Sequence, residues 1–361
     1  MFFRRYFIAC LLGIIILSTG CSEAPSSNNH SSFISWDDLQ ATPSVGKSLC
    51  WDISLLGSKP SWEQIKIDFK TGIVIKLDIP DAKEIGYQTY EIPSERSLEI
   101  NLHLWYGGGN FRPANIRFLV LLDEQQLNAF ASDKPYYDVT ISPGEETIIP
   151  LQVTFVLSGV HDLIILGIPY LDEYPNPEGV VMILSHRVTL IVPPIATPFK
   201  QINFVTLPAR GLLSRGDPAI PLMLTLREEE LKVWDWPNEW LISTTDVIEF
   251  FILSGYENTV NLDAPSLKKP PQLFFAIILF VDYQQVGIEF EKNVIYGKVT
   301  SDTAYTSNRI KIRLREGEHY ILVIKVNNPG VPMCILQGPP GGRILPFNVV
   351  GALHGINVLH K

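Results

Sequence analysis

The chain has no Gly-x-Ser-x-Gly, no His-Glu-x-x-His, no Cys-x-x-Cys and no phosphate loop. The signatures of serine hydrolases, zinc peptidases, thiol oxidoreductases and P-loop NTPases are therefore missing. Gln337-Gly-Pro-Pro-Gly-Gly-Arg343 comes nearest to a phosphate loop, but it lacks the Lys-Ser/Thr that such a loop needs. Basic residues are also scarce, with 29 Lys+Arg against 38 Asp+Glu and a net charge of −9. That balance argues against a broad polyanion-binding surface, and no nucleic-acid partner is expected. Four cysteines in 361 residues exclude a small disulfide-stapled scaffold. Helical periodicity sustained for several turns is lacking as well, residues 227–236 being the best short candidate. What is present is a globular composition, 46% hydrophobic and 19% charged, long enough for roughly two domains of about 150 residues.

Residues 1–21, MFFRRYFIACLLGIIILSTGC, place Arg4 and Arg5 before an apolar run ending at Leu17. The run is about 12 residues, whereas a membrane span needs about 20, so it reads as a secretory signal. Leu17-Ser18-Thr19-Gly20-Cys21 resembles the lipobox of bacterial lipoproteins, although Leu sits four places before the cysteine instead of three. The resemblance implies that Cys21 becomes the lipidated first residue of a membrane-tethered protein. Several acyl chains, at about 0.8 kcal/mol per buried CH₂, give the stable attachment that one chain would not. An ordinary secretory signal with Cys21 retained is the alternative, and Arg4-Arg5 also has a partial likeness to the twin-arginine export pattern. Without residues 1–21 the chain keeps 27 basic and 38 acidic residues, a net −11. The expected location is the cell envelope, on the outer face of the cytoplasmic membrane or on an outer membrane. Cys50 and Cys334 remain, and an exported compartment permits either a disulfide or two independent thiols.

Residues 22–33 open with SEAPSSNNHSS, polar text with nothing to bury, and read as a flexible tether. Short Val/Ile/Leu/Phe-rich runs broken by Pro, Gly, Asn and Asp follow, at 98–105, 116–122, 148–155, 163–168, 188–192, 274–281, 310–314 and 321–326. Runs of this length between turn signals are strands. Sliding the chain along itself by about 158 residues reveals a repeat. Phe118-Leu-Val-Leu-Leu-Asp123-Glu-Gln125-Gln126 is echoed by Ile277-Ile-Leu-Phe-Val-Asp282-Tyr-Gln284-Gln285, and Gly159-Val-His161 by Gly317-Glu-His319. Asp to Gly is 36 residues in the first copy and 35 in the second.

The Gly-x-His that opens a long apolar strand in each copy resembles the Gly-x-Tyr of the tyrosine corner in immunoglobulin-like sandwiches. The resemblance implies two tandem immunoglobulin-like β-sandwich domains, all-β, with His161 and His319 as structural corners. Residues 34–196, with an N-terminal extension, form the first and 197–361 the second. The boundary is placed at the Pro-rich 192–198, which cannot continue a central strand.

Trp234, Trp236 and Trp240 lie within seven positions beside Asp235 and Glu239, and are the chosen partner- or ligand-binding residues. The competing reading is that one or two of them plug the sandwich core and that Pro237 merely ends an element. Residues 170–179 carry three carboxylates and could collect Ca²⁺, but without regular ligand spacing they read as a hairpin tip. His354 and His360 are too far apart along a strand to share a metal without a bend. Neither His161 nor His319 stands beside a Ser, Cys or carboxylate constellation repeated with it, so neither is read as a catalytic base. No catalytic residue, metal or cofactor is assigned. The expectation is a non-enzymatic, lipid-anchored envelope protein, an accessory or assembly subunit binding another envelope protein through its loops. A carbohydrate-binding surface module using the tryptophans is the alternative, and a hydrolase with dispersed carboxylates is the third reading.

Overall fold

The computed structural model describes residue 50 and residues 60–69, 72–107, 112–169, 184–195, 200, 202–206, 211–212, 222–225, 241–243, 245, 247–255, 273–288, 293–299, 304–336, 349–351 and 356–360. The short helix α1 (Trp62–Asp68) precedes the strands of the first sandwich. These are β1 (Gly72–Asp78), β2 (Lys83–Gly86), β3 (Thr89–Glu91), β4 (Arg96–Gly107), β5 (Ala114–Leu122), β6 (Gln125–Leu127), β7 (Tyr137–Ile141), β8 (Glu146–Val156), β9 (Gly159–Pro169) and β10 (Leu184–Val192). The second sandwich contains β11 (Val205–Thr206), β12 (Gly211–Leu212), β13 (Leu222–Thr225), β14 (Leu241–Ser243), β15 (Val247–Gly255), β16 (Leu273–Val281), β17 (Gln284–Val286), β18 (Val294–Val299), β19 (Ala304–Arg313), β20 (Gly317–Asn327), then helix α2 (Met333–Leu336), β21 (Val349–Gly351) and β22 (Ile356–His360).

Four sheets form. Sheet A is β1-β4-β8, and sheet B runs β2-β3-β10-β9-β5-β6 with β7 on β5. Sheet C runs β11-β18-β16-β20-β22-β14, and sheet D is β12-β19-β15-β13. In each repeat a hairpin strand pair (β5–β6, β16–β17) and a following central strand (β9, β20) occupy matching places, and a short strand runs parallel to the last one (β3 to β10, β14 to β22). This is the all-β, two-sandwich architecture, with the immunoglobulin-like order in each half.

Strand period sets which residues face which layer. On β4, Leu98, Ile100, Leu102 and Leu104 are buried and alternate with polar neighbours, so sheet A is covered on one face by the first core. On β5, Ile116, Phe118 and Val120 enter that same core, while Leu119 and Leu121 point the other way into a third apolar layer. Ile164, Leu166 and Ile168 of β9 join that layer, facing Ala276, Ile278 and Phe280 of β16 and Leu322, Ile324 and Val326 of β20. Phe275, Ile277 and Leu279, one residue out of phase, enter the core of the second sandwich with Ile248, Phe250, Ile252, Ile310 and Ile312.

The two sandwiches are therefore not separate beads. Sheets B and C pack face to face, giving four layers and three apolar interfaces. Strands buried on both faces need no polar side, which is why 118–122 and 277–281 read as unbroken apolar runs. Among the described residues no helix is long and apolar enough to cross a membrane.

Candidate functional site

Among the described residues, polar side chains meet across and beside the seam between sheets B and C, and the repeat explains the placement of several of them. Each copy turns from its first central strand into a two-residue hairpin, Asp123-Glu124 or Asp282-Tyr283, with φ of 52° and 64° or 51° and 65°. Two successive left-handed residues make a type I′ turn, whose twist suits a tight hairpin. The turn holds the Asp at its first position, and there the carboxylate meets the start of the neighbouring central strand, β9 or β20. Asp123 Oδ1 accepts from the backbone N–H of Asp162 at 3.1 Å, and Oδ2 meets His161 Nδ1 at 2.7 Å. Asp282 does the same with the N–H of Tyr320 at 2.9 Å and with His319 Nδ1 at 2.7 Å. The far ring nitrogens meet the carbonyls of Leu157 at 3.0 Å and Arg315 at 2.8 Å. Gly159 and Gly317, at φ of 142° and 130°, open these corners in a conformation that L side chains rarely adopt.

This overturns one sequence reading. Each histidine does have a carboxylate partner, repeated in both copies, but 37 or 38 residues away, where spacing could not reveal it. A carboxylate and a carbonyl can only accept, so both bonds form together only on a doubly protonated ring. Burial is the largest single influence and would lower the His161 pKa, but the hydrogen bond and charge of Asp123 and the Leu157 carbonyl together outweigh it and the net shift is upward; His319 is raised likewise by Asp282 and the Arg315 carbonyl together. Asp123 ends below the usual carboxylate range because His161 and Lys200 outweigh its own burial. With its second nitrogen on a backbone carbonyl, each imidazole is a bracket joining turn to corner and activates no hydroxyl or thiol.

Across the seam, the repeat-equivalent glutamines meet. The backbone N–H of Gln126 donates to Gln285 Oε1 and that of Gln285 to Gln126 Oε1, both at 2.6 Å. Their side-chain amides donate to the carbonyls of Tyr283 at 2.8 Å and Glu124 at 2.9 Å. Residue i of one copy touches j of the other and j touches i, as across a two-fold axis.

The two ends of this pseudo-dyad have diverged. At one end, Glu124 is fully buried and its Oε2 accepts from Tyr296 Oη at 2.8 Å and Lys200 Nζ at 3.1 Å. Burial holds its carboxyl above the usual range despite Lys200. Nearby, Asp162 and Arg187 pair at 2.7 Å with side chains 1% and 3% exposed. Arg187 also donates to the carbonyls of Asn327 and Asn328, and Gly330 N–H donates to Asp162 at 2.7 Å. At the other end Tyr283 and Tyr320 stand where Glu124 and Asp162 stand in the first copy, with ring centroids 5.2 Å apart. Arg117 lies over Tyr136 at 4.0 Å and Tyr283 at 4.2 Å, and binds Asp138 through two nitrogens.

A strap completes the junction. After β20 the chain crosses to the first sandwich, where the N–H groups of Met333 and Cys334 donate to Thr189 Oγ1 and Thr89 Oγ1. Cys334 is bonded to Cys50 across 284 residues. A Cβ on Gly86 would lie 2.6 Å from Cys334 Cβ and 2.8 Å from Cys50 Cβ, so the disulfide requires glycine beneath it.

A second polar group lies on the outer face of sheet A. Trp62 Nε1, Lys66 Nζ and His103 Nδ1 converge on the Glu146 carboxylate at 2.8, 3.0 and 2.9 Å, holding its pKa at about 2, with His103 the largest cause. Helix α1, capped by Ser61 Oγ on the Gln64 N–H, docks there with no fully buried residue of its own.

Sequence reasoning singled out His161, His319, Cys50 and Cys334, and all four lie on or beside the seam. It did not find Glu124, Arg187, Lys200 or Tyr296, which belong to one copy only. The glutamine pairs were inside the repeat, but nothing local showed that they meet. Cys21, Trp234, Trp236, Trp240, His354 and the segments 170–179, 227–236 and 337–343 lie outside the described residues. Among the described residues no group of three or more His, Cys, Asp or Glu could hold a metal ion.

No protein-family model matches the chain, and no curated protein matches it. Solved structures it resembles include the CARDB domain of a Pyrococcus furiosus protein, in complex with di-metal ions, at 13% identity over 34% of this chain and 94% of that one, TM-score 0.23. The α2-macroglobulin of Escherichia coli, from domain MG7 to the C-terminus, matches at 9% identity over 58% of this chain and 23% of that one, TM-score 0.24. Fibronectin(III)-like modules of Clostridium thermocellum CbhA match at 10% identity over 80% and 94%, TM-score 0.18. Likeness at this level says nothing of activity, and the fold is read from the chain's own sheets.

Proposed function

We propose that the protein is a non-enzymatic, lipid-anchored component of the cell envelope, an accessory or assembly subunit that binds another envelope protein through the loops of its sandwiches. The observation that supports this is the commitment of the seam's ionisable groups to structure. Asp123, His161, Asp282 and His319 each bind backbone as well as one another, and Asp162 and Arg187 bridge to the strap. Groups held this way maintain the relative position of two scaffolds, which suits a protein that presents surfaces. Cys21 supplies the anchor, and residues 22–33 lift the folded body from the lipid.

The test is cross-linking in native membranes, with affinity capture and mass spectrometry, beside metabolic labelling with palmitate. Wild type is compared with a folded Trp234/Trp236/Trp240→Ala variant. The expected result is acyl label lost in Cys21→Ser and a captured envelope protein, with capture reduced in the tryptophan variant. Absence of label and of any specific partner would remove the proposal and turn attention to glycans.

A further inference from the structure

The outer face of sheet D carries a row of cations that the net charge conceals. On β19, Arg309, Lys311 and Arg313 are exposed and alternate with Ile310 and Ile312, which are buried in the second core. The alternation continues one step past the strand, where Leu314 is buried and Arg315 exposed. Positions two apart on a strand lie on one face about 6.6 Å from each other, so the four cations form a row about 20 Å long. On the neighbouring β15, Val247, Glu249 and Phe251 lie opposite Arg313, Lys311 and Arg309. Glu249 pairs with Arg309 and, at 3.6 Å, with Lys311, whose side chains stay 59% and 49% exposed. Arg313 and Arg315 have no ion-pair partner among the described residues. Val247 is 37% exposed and Phe251 half-buried on the same face, adding apolar contact beside the charges.

We infer that this face docks on a membrane surface of anionic phospholipid. Three features select that occupant. The cations stand on one face of a hydrogen-bonded sheet, with their positions fixed by buried neighbours, and such an array complements a planar surface better than a strand in a cleft. The chain as a whole carries −9, so an anionic surface repels the molecule overall and favours an approach through a face where cations gather, which biases orientation. Val247 and Phe251 offer apolar side chains at headgroup depth, as interfacial binding requires. The inference deepens the envelope reading and relies on it only for the source of the lipid. In the first sandwich, β8 occupies the place of β19 and puts Glu146, Ile148, Pro150 and Gln152 outward, so the cationic face is particular to the second copy.

The test uses the full chain with Cys21→Ser, which cannot be acylated there, and vesicles of phosphatidylcholine alone or with one third phosphatidylglycerol. The readout is the ratio of partition into anionic and neutral vesicles; the N-terminal apolar run with Arg4 and Arg5 is common to every variant, so its share cancels between variants. Each cation near an anionic surface contributes about fivefold, so four cations offset by Glu249 contribute a factor of about 100 to that ratio at low salt. The ratio should fall towards 1 at high ionic strength. Arg313→Gln with Arg315→Gln, which breaks no described ion pair, should lower it about 25-fold. Lys83→Gln with Lys134→Gln, away from sheet D, should leave it unchanged. A wild-type ratio near 1 would overturn the inference, and so would a ratio retained by the Arg313/Arg315 variant at an unaltered unfolding midpoint. Binding of inorganic polyphosphate without vesicle preference would replace the lipid surface by a soluble polyanion. Failure of acyl labelling at Cys21 with an intact ratio would remove the anchor and leave the docking face standing.

Discussion

Gln126 and Gln285 exchange equivalent hydrogen bonds across the seam, each side-chain oxygen accepting the other's backbone N–H at 2.6 Å. Either one replaced by Ala leaves the partner's N–H without its acceptor and removes two side-chain bonds. Each single change should cost about 1–3 kcal/mol in chemical denaturation. Because the pair acts as a unit, the double variant should cost less than the sum, by roughly 0.5–3 kcal/mol. Additive costs would show that the reciprocity has no energetic content.

The two Asp–His brackets predict a pH dependence of definite sign. A histidine whose pKa is raised by folding contributes stability that is complete below its unfolded value of about 6.5 and is lost as pH rises through the folded value. Asp123, lowered by folding, contributes above about 3.9 and loses that contribution as pH falls. Unfolding midpoints should therefore be highest between roughly pH 4 and 6.5 and decline above it. His161→Gln with His319→Gln should flatten the alkaline limb. An unchanged limb would mean that the rings are neutral in the folded state.

Asp162 and Arg187 are almost wholly buried, so removing one partner strands a charge. Asp162→Asn should cost about 3–5 kcal/mol, and so should Arg187→Met. Asp162→Leu combined with Arg187→Met should recover most of the loss, since a buried ion pair is replaceable by apolar groups of similar volume. Equal damage from the double variant would assign the pair a further role in seating the strap through Gly330.

Gly86 lies against both bridging cysteines. Gly86→Ala should cost about 1–3 kcal/mol by overpacking, measured by thermal melting. In the reduced protein, where the sulfurs are free to part, the penalty should shrink. Cys50→Ser with Cys334→Ser should cost about 2–5 kcal/mol.

Fold class was legible because strand runs and turn residues are local properties. The repeat was legible because the hairpin and corner sequences survive in both copies. The face-to-face packing was not read, although the unbroken apolar stretch at 277–281 is its trace, since alternation would mark a solvated face. Lengths within the usual range for a buried strand gave no hint of what covered it. The partners of His161 and His319 were hidden because a hairpin bond joins residues nearly forty apart, and Glu124 because a single acid in a turn looks solvated until a second domain buries it. Helix α1 was not read at all, since its docking depends on one carboxylate 84 residues beyond Trp62. The cationic row was visible as Arg309-Ile-Lys-Ile-Arg-Leu-Arg315, but whole-chain charge averaged it away.

The bond between Cys50 and Cys334 closes a covalent ring around 284 residues of sequence separation, which takes in the first sandwich and the second as far as β20. A pull applied at the amino terminus therefore reaches Cys50 and crosses directly to the short stretch that ends in β22. Roughly 900–1,000 Å of contour is bypassed and cannot be drawn out, whatever becomes of the seam, its brackets and its glutamines. Extension under force would peel β22 and β21 from β20 and then stop, until a reductant opens the ring.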